Sequence, residues 1–352
     1  MKNGKGPTVM VRADMDALPV EEKTGLPYAS RITVKNDSGV TVPVMHACGH
    51  DIHVASLVGS ATLLAKAKDR WRGTLVLVGQ PAEELGAGAE AMLKDGFLAR
   101  FPKPDFAVAL HDEPRLPAGK IGYTPGFAYA NVDSVDIMIF GRGGHGSAPQ
   151  NTVDPIVIAA QTIVALQTIV SRENDPLQPA VVTVGSIHGG TKHNIIPDEV
   201  KLQLTVRTYT DEVRQRVLAA IERIVKAQAA AARAPREPVV THPEGGRATV
   251  NDPELTKRIA SALAAAFGKS LVVELPRLMA AEDFGEFGRA AGIPSVIFWL
   301  GATEPAKFAA AGGDPTRLPG LHSSEWAPDP QPTIKTGAAA LTVAAMELLG
   351  KK

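Results

Sequence analysis

Short apolar stretches alternate with segments of helical periodicity over much of the chain. Thr8–Arg12 (TVMVR) is typical of a buried strand, and Asp51–Lys68 has apolar residues at helical spacing. Similar patterns predict strands at Thr74–Gly79, Asp105–Leu110, Val272–Glu274 and Ser295–Leu300, and helices near Ala87–Leu93 and over Ala281–Ala291. Continuous apolar strands between helices favour an α/β fold with a mostly parallel sheet that is covered on both faces.

The middle of the chain has a different pattern. Val132–Phe140 alternates between apolar and polar residues, as a half-exposed strand does. The predicted elements that follow are a helix, two strands, a long helix and a short strand, at Pro155–Ser171, Ala180–Ile187, Glu199–Thr208, Asp211–Ala232 and Glu237–Thr241. This β-α-β-β-α-β order predicts a smaller α+β domain at 127–238. It is inserted into a larger α/β domain formed by residues 1–126 and 239–352.

Composition narrows the possible partners. The chain has 352 residues, which favours two domains, and a formal net charge of zero. Without a basic stripe, we expect no nucleic-acid partner. No apolar run approaches the roughly 20 residues that span a bilayer, and the N-terminus lacks a signal-peptide pattern. We therefore expect no membrane partner and a cytoplasmic location.

The chain places its one cysteine inside a cluster of histidines, in the stretch MHACGHDIH from Met45 to His53. One cysteine excludes an intramolecular disulfide. In an extended segment Cys48 and His50 point the same way, so both side chains could reach one centre. Thiolate and imidazole are ligands for divalent metals, and this pattern favours a metal site over a buried cysteine beside surface histidines.

Further polar side chains follow the predicted strands. The carboxyl ends of strands are the edge at which open α/β sheets bind ligands. An adjacent pair, Glu83 and Glu84, follows one strand, and the pair taken alone favours a solvated acidic start of the next helix over a site. The other candidates are Asp14, Asp16 and His111 at strand ends, and His322 in a loop near the C-terminus. Together they predict a site at one edge of the sheet.

The glycine-rich stretch GRGGHGSAP resembles a dinucleotide fingerprint in its spacing alone. Pro149 and Asn151 intervene before the next helix, and the acid expected about twenty residues on is missing. We therefore reject a nucleotide site. His145 is better interpreted as the tip of a loop that reaches into a neighbouring site.

Seven motifs together resemble a known family. They are HACGHD, QPAEE, the strand-end LH, GRGGHGSAP, HNIIPD, AAEDF and LHSS. In this order they resemble peptidase family M20, the aminoacylase and carboxypeptidase family of metallopeptidases, and in particular its amidohydrolase subfamily. The motifs run from Val11 to about Glu325, nearly the whole chain.

The resemblance implies a binuclear metal centre and an amide-hydrolysing enzyme. Cys48 would bridge two divalent ions, and the other ligands would be His50, Glu84, His111 and His322. The ions would be zinc or manganese, with cobalt possible. The substrate would be an N-acyl amino acid or small peptide with a free carboxylate.

The resemblance also implies roles for residues that do not bind metal. Glu83 would be the general base, and Asp16 would lie beside a ligand and orient it. His145, from the inserted domain, would polarise the scissile carbonyl in the active site of its own or a partner subunit. Asn194 and Arg207 would bind the substrate carboxylate. Family members usually form homodimers through the inserted domain.

The chain departs from the family pattern in two places. Most members of the wider family have a ligand histidine at the position of Asp14. The amidohydrolase branch has an aspartate there, as this chain does, and His50 would take over the role of that ligand. Members also usually begin with a further helix and strands ahead of the VRAD strand. We therefore expect either that the true start of the protein lies upstream of this sequence or that the sheet lacks one of its edge strands.

Two alternatives remain open at the level of sequence. Cys48 could be a nucleophile, activated by His50 or His46, in a hydrolase that needs no metal. The protein could also bind a metal or ligand without catalysis. A second carboxylate beside a metal ligand, as Glu83 is beside Glu84, argues against that reading.

Overall fold

The structure is a computed structural model that describes residues 1–351, and the chain divides into two compact units. The first unit contains Met1–Ala128, Thr249–Arg277 and the chain from Glu282 onwards. The second contains Tyr129–Ala248 and Leu278–Ala281. The predicted boundary at 238 lies too early, because strands Val239–Thr241 and Gly245–Gly246 both pair with Asn131–Phe140.

The first unit is built on an eight-stranded, mainly parallel sheet. Its strand order is Lys2–Asn3, Trp71–Gln80, Thr8–Asp14, Phe106–Pro117, Ser295–Thr303, Ile121–Tyr123 and Val272–Glu274, with Gly350–Lys351 also paired to Trp71–Gln80. The four long strands, Trp71–Gln80, Thr8–Asp14, Phe106–Pro117 and Ser295–Thr303, are parallel to one another. Three of them, Thr8–Asp14, Phe106–Pro117 and Ser295–Thr303, carry runs of buried residues, as the sequence predicted for a parallel sheet.

Helices and short strands complete the first unit. The helices are His50–Lys66, Gly88–Lys94, Phe97–Arg100, Pro253–Phe267, Gly285–Ala291, Pro305–Ala310 and Pro330–Leu348, with a 3-10 turn at Pro315–Arg317. Two small ladders pair Thr33–Lys35 with Thr41–Pro43, and Gly126–Phe127 with Val250–Asn251. Side chains such as Val11, Leu57, Leu110, Phe298 and Leu341 form the shared core of strands and helices.

The second unit has a five-stranded antiparallel sheet. Its strand order is Ala180–His188, Glu199–Thr208, Asn131–Phe140 and Val239–Thr241, with Gly245–Gly246 also on Asn131–Phe140. The helices are Pro155–Thr168, extended by a π turn at Ile169–Glu173, and Asp211–Ala231. A 3-10 turn covers Pro149–Asn151, and Gly144–His145 pairs with Ile195–Ile196. The long elements follow the order strand, helix, strand, strand, helix, strand.

Local sequence explains the helices of the second unit. Asp154 accepts a hydrogen bond from Ile156 N at 2.9 Å, with Pro155 at the first helical position, and Thr210 caps the second helix in the same way. In the second helix Val213, Val217 and Ile221 are buried at a four-residue spacing, which is the apolar stripe of an amphipathic helix.

One segment of the second unit contradicts the expectation that no apolar run approaches spanning length. Pro155–Glu173 has 19 residues and a mean hydropathy of 1.4, enough to cross a membrane by length and composition alone. Core helices pass the same test. Ile158, Leu166 and Ile169 of this segment are buried in the core of the second unit.

Candidate metal centre

Polar side chains of the first unit gather where three neighbouring parallel strands end. Asp14 is the last residue of Thr8–Asp14, and Glu83 and Glu84 follow Trp71–Gln80. His111 lies within the third strand, Phe106–Pro117. The structure thus brings together the strand-end residues that the sequence singled out, at the edge of the sheet where α/β folds bind ligands.

Cys48 and His50 enter this edge from the start of a helix. The helix begins at His50, and Gly49 precedes it with a φ of 71°. A Cβ on Gly49 would lie 2.2 Å from Oδ2 of Asp112, so only glycine fits between the two candidate ligands. The Cys48 Sγ is 3.6 Å from Nε2 of His111.

Hydrogen bonds orient two buried histidines of this group, His50 and His111. The Nδ1 of His50 lies 3.1 Å from both the carbonyl oxygen and Oδ1 of Asp16, and Nδ1 of His111 lies 2.7 Å from the carbonyl oxygen of Asp112. With Nδ1 as the donor, each ring presents Nε2 as an acceptor toward the centre. Metal-ligating histidines in proteins are held in this way.

Glu84 and His322 complete the group. The Glu84 Oε2 is 3.2 Å from Nε2 of His322, and the backbone N–H of Glu84 donates to Oδ2 of Asp16 at 3.0 Å. His322 has a φ of 66°, and its N–H donates to the carbonyl oxygen of Ala47 at 2.7 Å. This backbone bond ties the C-terminal loop to the segment that carries Cys48.

The donor set fits two divalent cations that share a thiolate. Ligand atoms of Cys48, His50 and His111 lie within 4.8 Å of one another, and so do those of Cys48, Glu84 and His322. Among the described residues, Nε2 of His50 and Oε1 of Glu84 are buried without a hydrogen-bond partner. Buried polar atoms of this kind are costly unless a partner satisfies them. Sulfur, nitrogen and carboxylate donors suit zinc and similar divalent ions.

Glu83 is buried beside this donor set. Burial, reinforced by the nearby carboxylate of Glu282, raises the pKa of Glu83 well above its usual range. A raised carboxyl pKa is the property expected of a group that takes up and returns a proton near neutral pH.

Cys48 is a poor nucleophile in the absence of metal. Burial raises the pKa of its thiol to about 12, although the neighbouring His111 acts in the opposite direction. Reactive cysteines have the opposite property, a depressed pKa that maintains the thiolate. A thiol that binds metal cations is deprotonated on binding, and its proton is released to solvent.

A buried cluster of charged side chains around Arg12, behind the candidate ligands, was not predicted from the sequence. Arg12 is fully buried and binds Gln80, Asp14, Glu282 and Asp283. Burial alone would lower the pKa of the Arg12 guanidinium. The three neighbouring carboxylates have the larger effect and raise that pKa. The available signal was a single arginine within the apolar strand TVMVRAD.

A second unpredicted group is His53, one helical turn after His50. Its Nδ1 contacts Oδ1 of Asp14, and its Nε2 accepts the backbone N–H of Asp112 at 2.8 Å. Asp112 also accepts from the indole N–H of Trp326 at 3.2 Å. His53 was visible in the histidine cluster, but the sequence contained no indication of its partners.

The second unit contains the other predicted residues. His145 is exposed, and its Nδ1 accepts the N–H of Ser147 at 3.1 Å. His145 pairs with Ile195 across a short ladder, so Asn194 is its close neighbour. Arg207 is half-buried on the strand Glu199–Thr208, where its Nε donates to Oγ1 of Thr205 at 3.1 Å. Within this unit the structure brings His145 and Asn194 together.

The mainly parallel α/β unit and its thiolate, imidazole and carboxylate donors define a metal-binding hydrolase site. The chain belongs to peptidase family M20/M25/M40, whose model matches residues 10–314. This is a family of hydrolases that act on amide bonds.

Individual relatives agree with the family. The chain is 48% identical to the N-acetyl-L-cysteine deacetylase of Bacillus subtilis. The match covers 60% of this chain and 48%, about half, of the length of the relative. It is 37% identical to thermostable carboxypeptidase 1 of Saccharolobus solfataricus, over 98% of this chain and 82% of the relative. A crystal structure of a dinuclear metal-binding peptidase of the M20 family from Bacillus subtilis matches with a TM-score of 0.77 and 30% identity, over 99% of this chain and 83% of that one.

Proposed function

We propose that the protein hydrolyses the amide bond of N-acyl amino acids or small peptides with a free carboxylate, using two divalent metal ions. The observation that carries the proposal is the shared position of Cys48 in two ligand groups, one with His50 and His111 and one with Glu84 and His322. The deacetylase and carboxypeptidase names of its relatives support the substrate class.

Bound metal ions would supply Lewis-acid activation of a water molecule and polarisation of the substrate carbonyl. Glu83 takes a proton from that water as its oxygen bonds to the carbonyl carbon. Glu83 then delivers the proton to the departing nitrogen as the C–N bond breaks. The second proton of the water also passes to the amine, so the products are a carboxylate from the acyl group and an ammonium. Burial of Glu83 suits this role, because its raised pKa makes the carboxylate a stronger base for the first step and keeps it protonated until the departing nitrogen takes the proton.

We also propose roles for residues outside the ligand set. Asp16 orients His50 through its carbonyl and carboxylate oxygens and holds the backbone of Glu84. His145 donates a hydrogen bond to the oxyanion that develops at the carbonyl. Asn194 and Arg207 bind the substrate carboxylate, for which the planar guanidinium of arginine is well suited.

We propose that the protein is a homodimer and that the second unit forms the interface. Val157 and Val164 of Pro155–Thr168 are 51% and 71% exposed. Ile187, on the outermost strand of the described sheet, is 50% exposed. Exposed apolar side chains and the open edge of an outer strand are commonly buried when two subunits associate.

The test uses metal-stripped protein reloaded with Zn²⁺, Mn²⁺ or Co²⁺ in separate samples. Release of amine from a panel of N-acyl amino acids and dipeptides should require metal. Glu83→Gln should lower turnover by a factor of about 10² to 10⁴ and leave the metal content unchanged. Glu90→Gln is the matched control, because this exposed carboxylate pairs with Lys94 on the surface of a helix.

Two outcomes would reject the proposal. Full turnover by Glu83→Gln would show that Glu83 is not the general base. Turnover that survives chelation but is lost on alkylation of Cys48 would favour a cysteine nucleophile. The pKa of about 12 at Cys48 argues against that second outcome.

A further inference from the structure

The loop that carries Glu83 and Glu84 is closed tightly at its base. It joins the strand Trp71–Gln80 to the helix Gly88–Lys94. A Cβ on Gly88 would lie 1.7 Å from the carbonyl oxygen of Pro81, so the two ends of the loop are almost in contact. Ala82 has a φ of 54°, a left-handed conformation that non-glycine residues rarely adopt. This geometry needs support from outside the loop.

Asp283 supplies a bond to each end of that loop. Its Oδ1 accepts from Nε2 of Gln80 at 2.6 Å, just before the loop. Its Oδ2 accepts from the backbone N–H of Ala89 at 2.9 Å, just after it. The Asp283 residue is only 7% exposed. One buried carboxylate thus connects the residue before the loop with the residue after it.

Arg12 fixes the orientation of the bridge. Its Nε donates to Oε1 of Gln80 at 2.9 Å, which turns the amide nitrogen of Gln80 toward Asp283. Arg12 also donates to Oδ1 of Asp283 at 3.2 Å. Arg12, Gln80 and Asp283 therefore form a closed triangle of hydrogen bonds.

Charge neutralisation alone does not explain Asp283. Arg12 already has Asp14 and Glu282 as carboxylate partners, at 2.7 Å and 2.9 Å. The second oxygen of Asp283 binds a neutral backbone N–H rather than a cation. The contacts of Asp283 therefore hold the two ends of the loop together.

We propose that Asp283 is a positioning residue for the reaction. It acts through Gln80 and Ala89 to hold the carboxylate of Glu83 and the ligand oxygen of Glu84 at a fixed separation. The inference rests on the roles proposed above for Glu83 and Glu84.

The experiment compares Asp283→Ala and Asp283→Asn with the wild type as full-length, metal-loaded protein. Asp283→Ala should lower kcat by about a hundredfold, because a displacement of about 1 Å in a catalytic group has that effect. KM should change by less than about threefold. Asp283→Asn retains one acceptor oxygen and should give an intermediate loss while folding normally.

Two readouts are independent of turnover. Amide hydrogen exchange in residues 81–88 should accelerate in Asp283→Ala, and the affinity of the metal-stripped protein for Zn²⁺, measured against a fluorescent chelator, should fall. Gln80→Ala should reproduce both effects. The double variant should lose little more than either single one, because the two side chains form one bridge.

Asp252→Ala is the matched structural control. Asp252 caps the helix Pro253–Phe267 by accepting from Leu255 N at 2.7 Å, so its loss also destabilises the first unit. This variant should retain kcat and normal exchange in 81–88. Unchanged exchange and kcat in Asp283→Ala, or an equal loss of kcat in Asp252→Ala, would overturn the inference. Absence of metal-dependent turnover in the wild type would reject the proposed function instead, and exchange and Zn²⁺ affinity would still decide the role of Asp283.

Discussion

The Nε2 of His50 and Oε1 of Glu84 face each other at 3.9 Å, and both are buried without a hydrogen-bond partner in the described part of the chain. Each atom has a lone pair, so neither can donate to the other when His50 carries its proton on Nδ1. The arrangement is unfavourable in the metal-free protein and favourable around a cation. The site is therefore organised before metal binds, at a cost to the stability of the apoprotein.

Replacement of Glu84 by glutamine should separate metal binding from folding. Glu84→Gln removes a charged ligand, and we expect the metal content to fall from about two ions per chain to about one. Because the buried charge is gone, the metal-free variant should unfold at the same or a higher temperature than metal-free wild type. Elemental analysis and thermal unfolding measure the two effects. Two ions bound with unchanged affinity would show that Glu84 is not a ligand.

Cys48 should resist alkylation until the protein unfolds. With a thiol pKa of about 12, the thiolate fraction at pH 8 is lower than that of an exposed cysteine by a factor of about 10³. We expect modification of metal-free protein by iodoacetamide to be slower than that of urea-unfolded protein by at least about a hundredfold. Mass spectrometry of timed samples gives both rates. Equal rates would mean that the thiolate forms readily and would revive the cysteine nucleophile.

The sequence could indicate which polar side chains gather at one edge of the sheet, because each of them lies next to a strong local pattern. Glu84 and His111 lie at or beyond an apolar strand, and Cys48 lies in a histidine cluster. Parallel strands bring such positions to one edge whatever the details of packing. Local pattern was sufficient to bring these residues together, and their roles as ligands stay a prediction from the family resemblance.

The residues behind the ligands could not be assigned in the same way. Arg12 and Asp283 are 271 positions apart, and their contact depends on how the chain from Glu282 onwards packs against the strand Thr8–Asp14. AAEDF was part of the family resemblance, but no role could be attached to Asp283 without its partners. The boundary at 238 cut through the predicted strand Glu237–Thr241, and Gly245–Gly246 is too short to be recognised before its pairing with Asn131–Phe140 is known.

Asp283 should make the stability of the metal-free protein depend on pH. Burial, with the nearby charge of Glu282, raises the pKa of Asp283 from its ordinary value of 3.8 to about 6. An acid with a raised folded-state pKa contributes stability below its unfolded pKa, and this contribution is lost as the pH rises through the folded value. The stability of wild type relative to Asp283→Asn should therefore decrease between about pH 4 and 6. Urea unfolding at several pH values measures it, and a constant difference would contradict the raised pKa.

The subunit in which His145 acts can be decided with mixed dimers. If the protein is a dimer in which His145 completes the partner's active site, a heterodimer of Glu83→Ala and His145→Ala subunits has one site with both residues intact. Two affinity tags allow the heterodimer to be purified after co-expression. Its activity should be about half that of wild type per dimer, whereas either homodimer should be nearly inactive.

A second heterodimer gives the opposite result and serves as the control. It combines wild type with a subunit that carries both Glu83→Ala and His145→Ala. If His145 acts in the partner, each site lacks one of the two residues and the dimer should be nearly inactive. If His145 acts in its own subunit, this dimer keeps about half of the activity and the first heterodimer loses it. His145 is exposed at the short ladder of Gly144–His145 with Ile195–Ile196, so its truncation should not alter folding in either experiment.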